Sequence, residues 1–170
     1  SGEHRDRIPD PHIWMDPKLL KVQARNIFDA LCKLDPENAK GYSENLKAFL
    51  SDLDSVDKRI ASSLAPFKGD NMYVFHPAFG YFAGSYGLHQ VPIEIEGKEP
   101  GARQLADIIE KAKKDRVRVI FVQPQFSTKS AEAIAKAIGG AVVPINPLAR
   151  DYLSNLEKIA SAIEKGLSRR

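Results

Sequence analysis

The spacing of apolar residues changes period once along this chain, near residue 70, and that change separates two kinds of structure. Before it, Leu20, Ala24, Ile27, Leu31 and Leu34 recur at alternating intervals of four and three, the stripe of an amphipathic helix. Asp16-Pro17 supplies its start: a carboxylate that can accept a backbone N–H, then a proline where the missing donor costs nothing. Asp35-Pro36 repeats that signal. Ala39, Tyr42, Leu46, Phe49, Leu53, Val56 and Ile60 then carry a second stripe up to Ala65-Pro66. A helix over 36–65 would be about 45 Å long at the α-helical rise, enough for a strut between two bodies.

Beyond residue 70, short β-type runs alternate with helical stripes. Met72 to Phe75 predicts a buried strand, Phe79 to Tyr86 a short aromatic helix stopped by Gly87, and Val91 to Ile95 a second strand. Pro92 places that strand's start, or a sheet edge, there. Leu105, Ile108, Ile109 and Ala112 mark a helix, and Val117 to Val122 a third strand. Ala131, Ile134, Ala135 and Ile138 mark a helix capped by Ser127 or Thr128 and closed by Gly139-Gly140. Ala141 to Ile145 is a fourth strand, and Tyr152, Leu156, Ile159 and Ile163 lie on a last helix. The predicted fold is α/β: a four-stranded, mostly parallel sheet with helices on both faces, preceded by a long linking helix.

Composition narrows the function classes. With 170 residues, 43% of them hydrophobic and 28% charged, the chain suits one globular domain, or one lobe with an appendage. The net charge of +3 comes from scattered residues. The one basic run, Lys111, Lys113, Lys114, Arg116 and Arg118, falls at a helix end and strand start, so no nucleic-acid partner is expected. The lone Cys32 excludes an internal disulfide and a multi-cysteine metal site; its apolar setting predicts a small buried side chain. No run approaches the roughly 20 apolar residues of a membrane span.

Open parallel sheets bind ligands beyond the carboxyl ends of their strands. His76 follows the first strand, Gln123 the third and Asn146 the fourth, while Glu94, Glu96 and Glu99 cluster about the end of the second. The aromatic surroundings of His76, from Phe75 to Phe82, would hold an imidazole in a dry pocket. His12 sits between two Asp-Pro steps beside Trp14, the only tryptophan. It is either a fixed ligand on a rigid turn or a solvent-facing residue on a turn that Trp14 anchors. His89, at the start of the second strand, reads as structural or exposed. His4, in the polar leader with Glu3 and Asp6, is not counted as a ligand. Gly84-Ser85-Tyr86-Gly87 is too short a cluster for a phosphate site.

Together these segments resemble a known family. Asp10-Pro11-His12-Ile13-Trp14-Met15-Asp16-Pro17 is similar to the D-P-H-x-W-x-D-P motif of the solute-binding proteins of zinc and manganese ABC importers (TroA-like, cluster 9). Val74 to Phe82 resembles their second histidine segment. Phe121 to Phe126 and Ile145 to Tyr152 resemble two further signature stretches in the same order, and the likeness runs from about residue 10 to 167. The resemblance implies the C-terminal half of such a protein: residues 1–35 a remnant of an N-terminal lobe, 36–66 a long linking helix, and 67–170 the C-terminal α/β lobe. It implies a periplasmic or cell-surface location, a metal held between lobes, and an ABC permease in the membrane as partner.

The family supplies three histidines, of which His12 and His76 carry over. Its carboxylate in the Phe-Val-Glu-Pro-type segment is Gln123 here, and its Asp-Pro-Leu carboxylate is Asn146. Both residues are candidates for a fourth position or for hydrogen bonding to the ligands. Fewer carboxylates favour zinc, with manganese as the second candidate. The expected role is capture, not catalysis, and protons should compete with the metal below about pH 6.5. The apolar stripe of the first helix should lie open, so the chain is expected to dimerise. The alternatives are a metal-assisted hydrolase using His76 with the Glu94/Glu96 edge, and a metal-free adhesion or partner-binding module on the same fold.

Overall fold

The computed structural model describes residues 9–169. Its first helix, α1 (Pro17–Leu34), begins as the Asp16-Pro17 step dictates, with the Asp16 carboxylate accepting the Lys18 N–H at 2.8 Å. The long helix α2 spans Ala39–Leu64 after a 3-10 turn at Pro36–Asn38. Asp35 does not cap it. Its carboxylate accepts instead from the Tyr42 hydroxyl and the Asn38 amide, which hold the acid below the usual carboxylate range. Only the C-terminal half of α2 is buried, through Leu53, Val56, Ile60 and Leu64.

The remaining elements are β1 (Asn71–Val74), α3 (Gly80–Ser85), β2 (His89–Pro92), α4 (Ala102–Lys114), β3 (Val119–Val122), α5 (Lys129–Ile138), β4 (Ala141–Pro144) and α6 (Tyr152–Leu167). All four strands run parallel in the order β2-β1-β3-β4. Strand alternation divides the interior into two layers. Met72, Val74, Val119 and Phe121 face α2, α3 and α6, whereas Tyr73, Phe75, Ile120 and Val122 face α4 and α5. The sheet is thus covered on both sides, the α/β arrangement that the alternating pattern predicts.

Two sequence expectations shift. The second strand begins two residues earlier than predicted and ends at Pro92, tolerated on this edge strand; the next N–H, of Ile93, still donates to the Val74 carbonyl at 2.8 Å. The chain then turns through Glu96 and Gly97, both left-handed, with Ile95 and Lys98 bridged. Cys32 is half-buried, not buried: it lies on α1, in which only Pro17 is fully buried. Ile27, Leu31 and Leu34 remain exposed, and an apolar groove of about 400 Å³ runs between α1 and α2, floored by Phe28, Leu46 and Phe49. No helix among the described residues is long and apolar enough to cross a membrane.

Candidate metal centre

Local chain stiffness places His12. Asp10 accepts the His12 backbone N–H at 3.0 Å, closing an Asx turn that also brings its carboxylate to the His12 Nδ1 at 2.6 Å. The other oxygen of Asp10 lies over Gly80, where a Cβ would stand only 2.8 Å from it. Glycine at the head of α3 therefore admits the carboxylate. Met15 is buried in the core, and the Asp16 carboxylate accepts the Ser85 hydroxyl at 2.7 Å. The turn is fastened to the α/β layer at several points.

His76 lies two residues past β1. Gln123, fully buried just after β3, grips its main chain from both sides: Oε1 accepts the His76 N–H at 3.0 Å and Nε2 donates to the His76 carbonyl at 2.8 Å. Both polar ends of Gln123 are therefore spent on the backbone. Glu94, almost fully buried two residues past β2, meets the His76 Nδ1 at 2.8 Å. The Phe126 ring stacks on the imidazole at 4.7 Å between centroids.

The two histidines, 64 positions apart, meet at this point: Nε2 faces Nε2 at 3.3 Å. A carboxylate has no proton to give, so Asp10 and Glu94 fix each Nδ1 as the protonated nitrogen. Each Nε2 then presents a lone pair toward the other. A carboxylate behind an imidazole in this way sets its tautomer and orientation and raises its basicity as a ligand. The span also has a metric meaning: two nitrogens bonded at 2.0–2.1 Å to a tetrahedral zinc ion stand about 3.3–3.4 Å apart.

Asn146 follows β4, and its Oδ1 accepts from the Leu148 N–H and from Gln125 Nε2, each at 3.0 Å. His89 is exposed at the head of β2, opposite Asn71. Glu96 is exposed on its left-handed turn, and His4 lies outside the described residues. Among the described residues, no group of three or more His, Cys, Asp or Glu side chains converges to hold an ion. The sequence reading named the two histidines but gave Asp10 and Glu94 no part behind them. The signal for Asp10 was its place two residues before His12, the spacing of an Asx turn.

The paired imidazoles lie beyond the strand ends of a parallel α/β sheet, where folds of this class bind ligands. The family described as "Zinc-uptake complex component A periplasmic" (ZnuA) matches residues 1–166, and the chain belongs to that family. A high-affinity zinc uptake system protein from Bacillus subtilis (strain 168) is 35% identical over 141 residues, which cover 82% of this chain and 44% of that protein. Its counterpart from Brucella suis biovar 1 is 31% identical over 170 residues, covering 94% and 51%. A crystal structure of ZnuA superposes with a TM-score of 0.91 at 44% identity, over 94% of this chain and 62% of that one. The laminin-binding protein of Streptococcus agalactiae, described as an adhesin with metal-transporting activity, superposes at 0.87 with 30% identity, over 96% and 66%. The chain thus spans about half the length of these two curated relatives.

Proposed function

We propose that the chain captures a divalent metal, zinc in first place, outside the cytoplasm and hands it to an ABC permease. His12 and His76 bind the ion through Nε2. The observation that carries the reading is the facing Nε2 pair, spaced at a tetrahedral edge with both Nδ1 nitrogens turned to carboxylates. Two unprotonated nitrogens so placed repel each other, and a cation between them satisfies both. The charges also suit: two carboxylates behind the ligands balance one divalent ion. Glu94 is engaged by His76, which leaves the hydrolase alternative only the exposed Glu96 of its acid/base edge. Manganese fits less well, since it prefers oxygen ligands. The relatives' names, zinc uptake and zinc-bound ZnuA, support zinc.

Two donors leave a tetrahedral ion half-coordinated, so the remaining positions fall to water or to donors outside residues 9–169. We read residues 1–35 as a remnant of an N-terminal lobe, 36–66 as the long linking helix and 67–170 as the C-terminal α/β lobe. Trp14 reports on the site directly: the only tryptophan, it meets the His12 ring edge-on at 5.2 Å. Titrating the metal-stripped chain with zinc should change tryptophan emission saturably, at a weaker affinity than three imidazoles give, and a chelator should reverse the change. A flat titration, with no zinc retained on dialysis, would remove the proposal. The open α1 face predicts in addition that the chain self-associates at high concentration. Light scattering that shows a clean monomer there would count against this part alone.

A further inference from the structure

We propose that Tyr152, acting through Trp14, is a specificity-determining residue that holds the two imidazoles at the zinc span. The inference rests on the zinc-capture reading above. His76 is pinned on its main chain by Gln123 and on its ring by Glu94 and Phe126. The turn carrying His12 reaches the same point from a distant part of the chain and needs its own fastening.

Trp14 provides it at both ends. Its indole Nε1 donates to the Pro147 carbonyl at 3.0 Å, and its own carbonyl accepts the Tyr152 hydroxyl. Pro147 and Tyr152 both belong to the segment that leaves β4 and enters α6, so the side chain and the main chain of one residue are both held by that segment. The gripped carbonyl is two residues from His12, close enough for any pivot of the turn to move the imidazole. Burial, and the nearby Asp16 carboxylate, push the Tyr152 phenol up, so it stays a donor. Preorganised ligands discriminate between metals because a metal with the wrong edge must strain them. Ligands at right angles, as in tetragonal nickel(II), stand only about 2.9 Å apart at a bond length near 2.05 Å. A turn free to pivot would serve both spans.

The test compares zinc and nickel(II) binding to the whole metal-stripped chain, by chelator competition, with Tyr152→Phe against the unaltered protein. Zinc affinity should fall about tenfold, the lower end of what loss of an outer partner costs. Nickel affinity should fall by a smaller factor, so the zinc-to-nickel ratio drops. Unchanged zinc affinity, or an equal loss for both metals, would overturn the proposal. His76→Ala is measured alongside. If it binds zinc as well as the unaltered chain, the capture reading itself fails; if it loses zinc while Tyr152→Phe keeps both affinities, only the role of Tyr152 fails. Should circular dichroism show that Tyr152→Phe does not fold, Trp14→Phe, which removes the indole donor and keeps an aromatic ring, is held to the same two criteria.

Discussion

His76→Ala should keep its fold and lose zinc affinity by well over 100-fold. On the proposed function the substitution removes a coordinating atom, whereas loss of an outer hydrogen-bond partner alone costs about 10–100-fold. The fold should survive because the anchorage of residue 76 is in its main chain, which the Gln123 amide holds whatever the side chain. The imidazole itself is only partly buried, with 26% of its side chain exposed. What suffers locally is Glu94, 6% exposed at its side chain, which loses its donor at a cost of about 1–3 kcal/mol. Competition against a chromogenic chelator measures the affinity, and denaturant unfolding of the metal-free protein measures the fold. Zinc retained at full strength would place the ion elsewhere in the molecule. A large loss of stability without metal would show that His76 is a core residue and not a ligand.

Much of this architecture was legible in the apolar spacing, because burial on one stripe or on two faces imposes its own period. The buried face of α6, with Leu156, Ile159 and Ile163, and the fully buried β3 could be drawn from the sequence almost residue by residue. Boundaries were less legible where backbone chemistry competes with pattern. Ile93 and Ile95 continue the alternation of β2, yet past the Ile93 N–H, which still reaches Val74, the chain leaves β1 for the left-handed turn at Glu96 and Gly97. Asp35 carries the same Asp-Pro signal as Asp16, but Tyr42, two turns on, takes its carboxylate.

The site divided along the same line. Strand ends point to His76 by topology alone, and Asp-Pro steps mark the His12 turn as stiff. Local spacing could have suggested Asp10. Nothing local could have paired Glu94 with His76, Gln123 with the His76 backbone, or Tyr152 with the Trp14 carbonyl 138 positions away. Those pairings exist only once the sheet order β2-β1-β3-β4 brings the strand ends side by side. The Gln123 and Asn146 departures illustrate the difference. As letters they read as missing or substitute ligands; in three dimensions each amide is engaged by its neighbours.

Phe121→Ala should cost about 3–5 kcal/mol of stability. The ring is fully buried on β3, in the layer shared with α2, α3 and α6. Its carbonyl accepts the Phe75 N–H at 2.8 Å, one residue before His76, so β3 supports the site's backbone from the same position. The space it fills is defined by Gly166 on α6, where a Cβ would fall 2.9 Å from the Phe121 ring and 3.3 Å from Val119. Glycine in the last turn of α6 thus permits close approach of that helix to the sheet. For a chain of this length the loss corresponds to a melting point lower by about 6–20 °C. Gly166→Ala alone should also destabilise, by about 1–3 kcal/mol, through overpacking. In Phe121→Ala the added methyl meets no ring, so the double variant should be more stable than the sum of the two losses predicts. Strict additivity in thermal or urea unfolding would show that α6 does not rest on Phe121, and that some other contact sets its distance from the sheet.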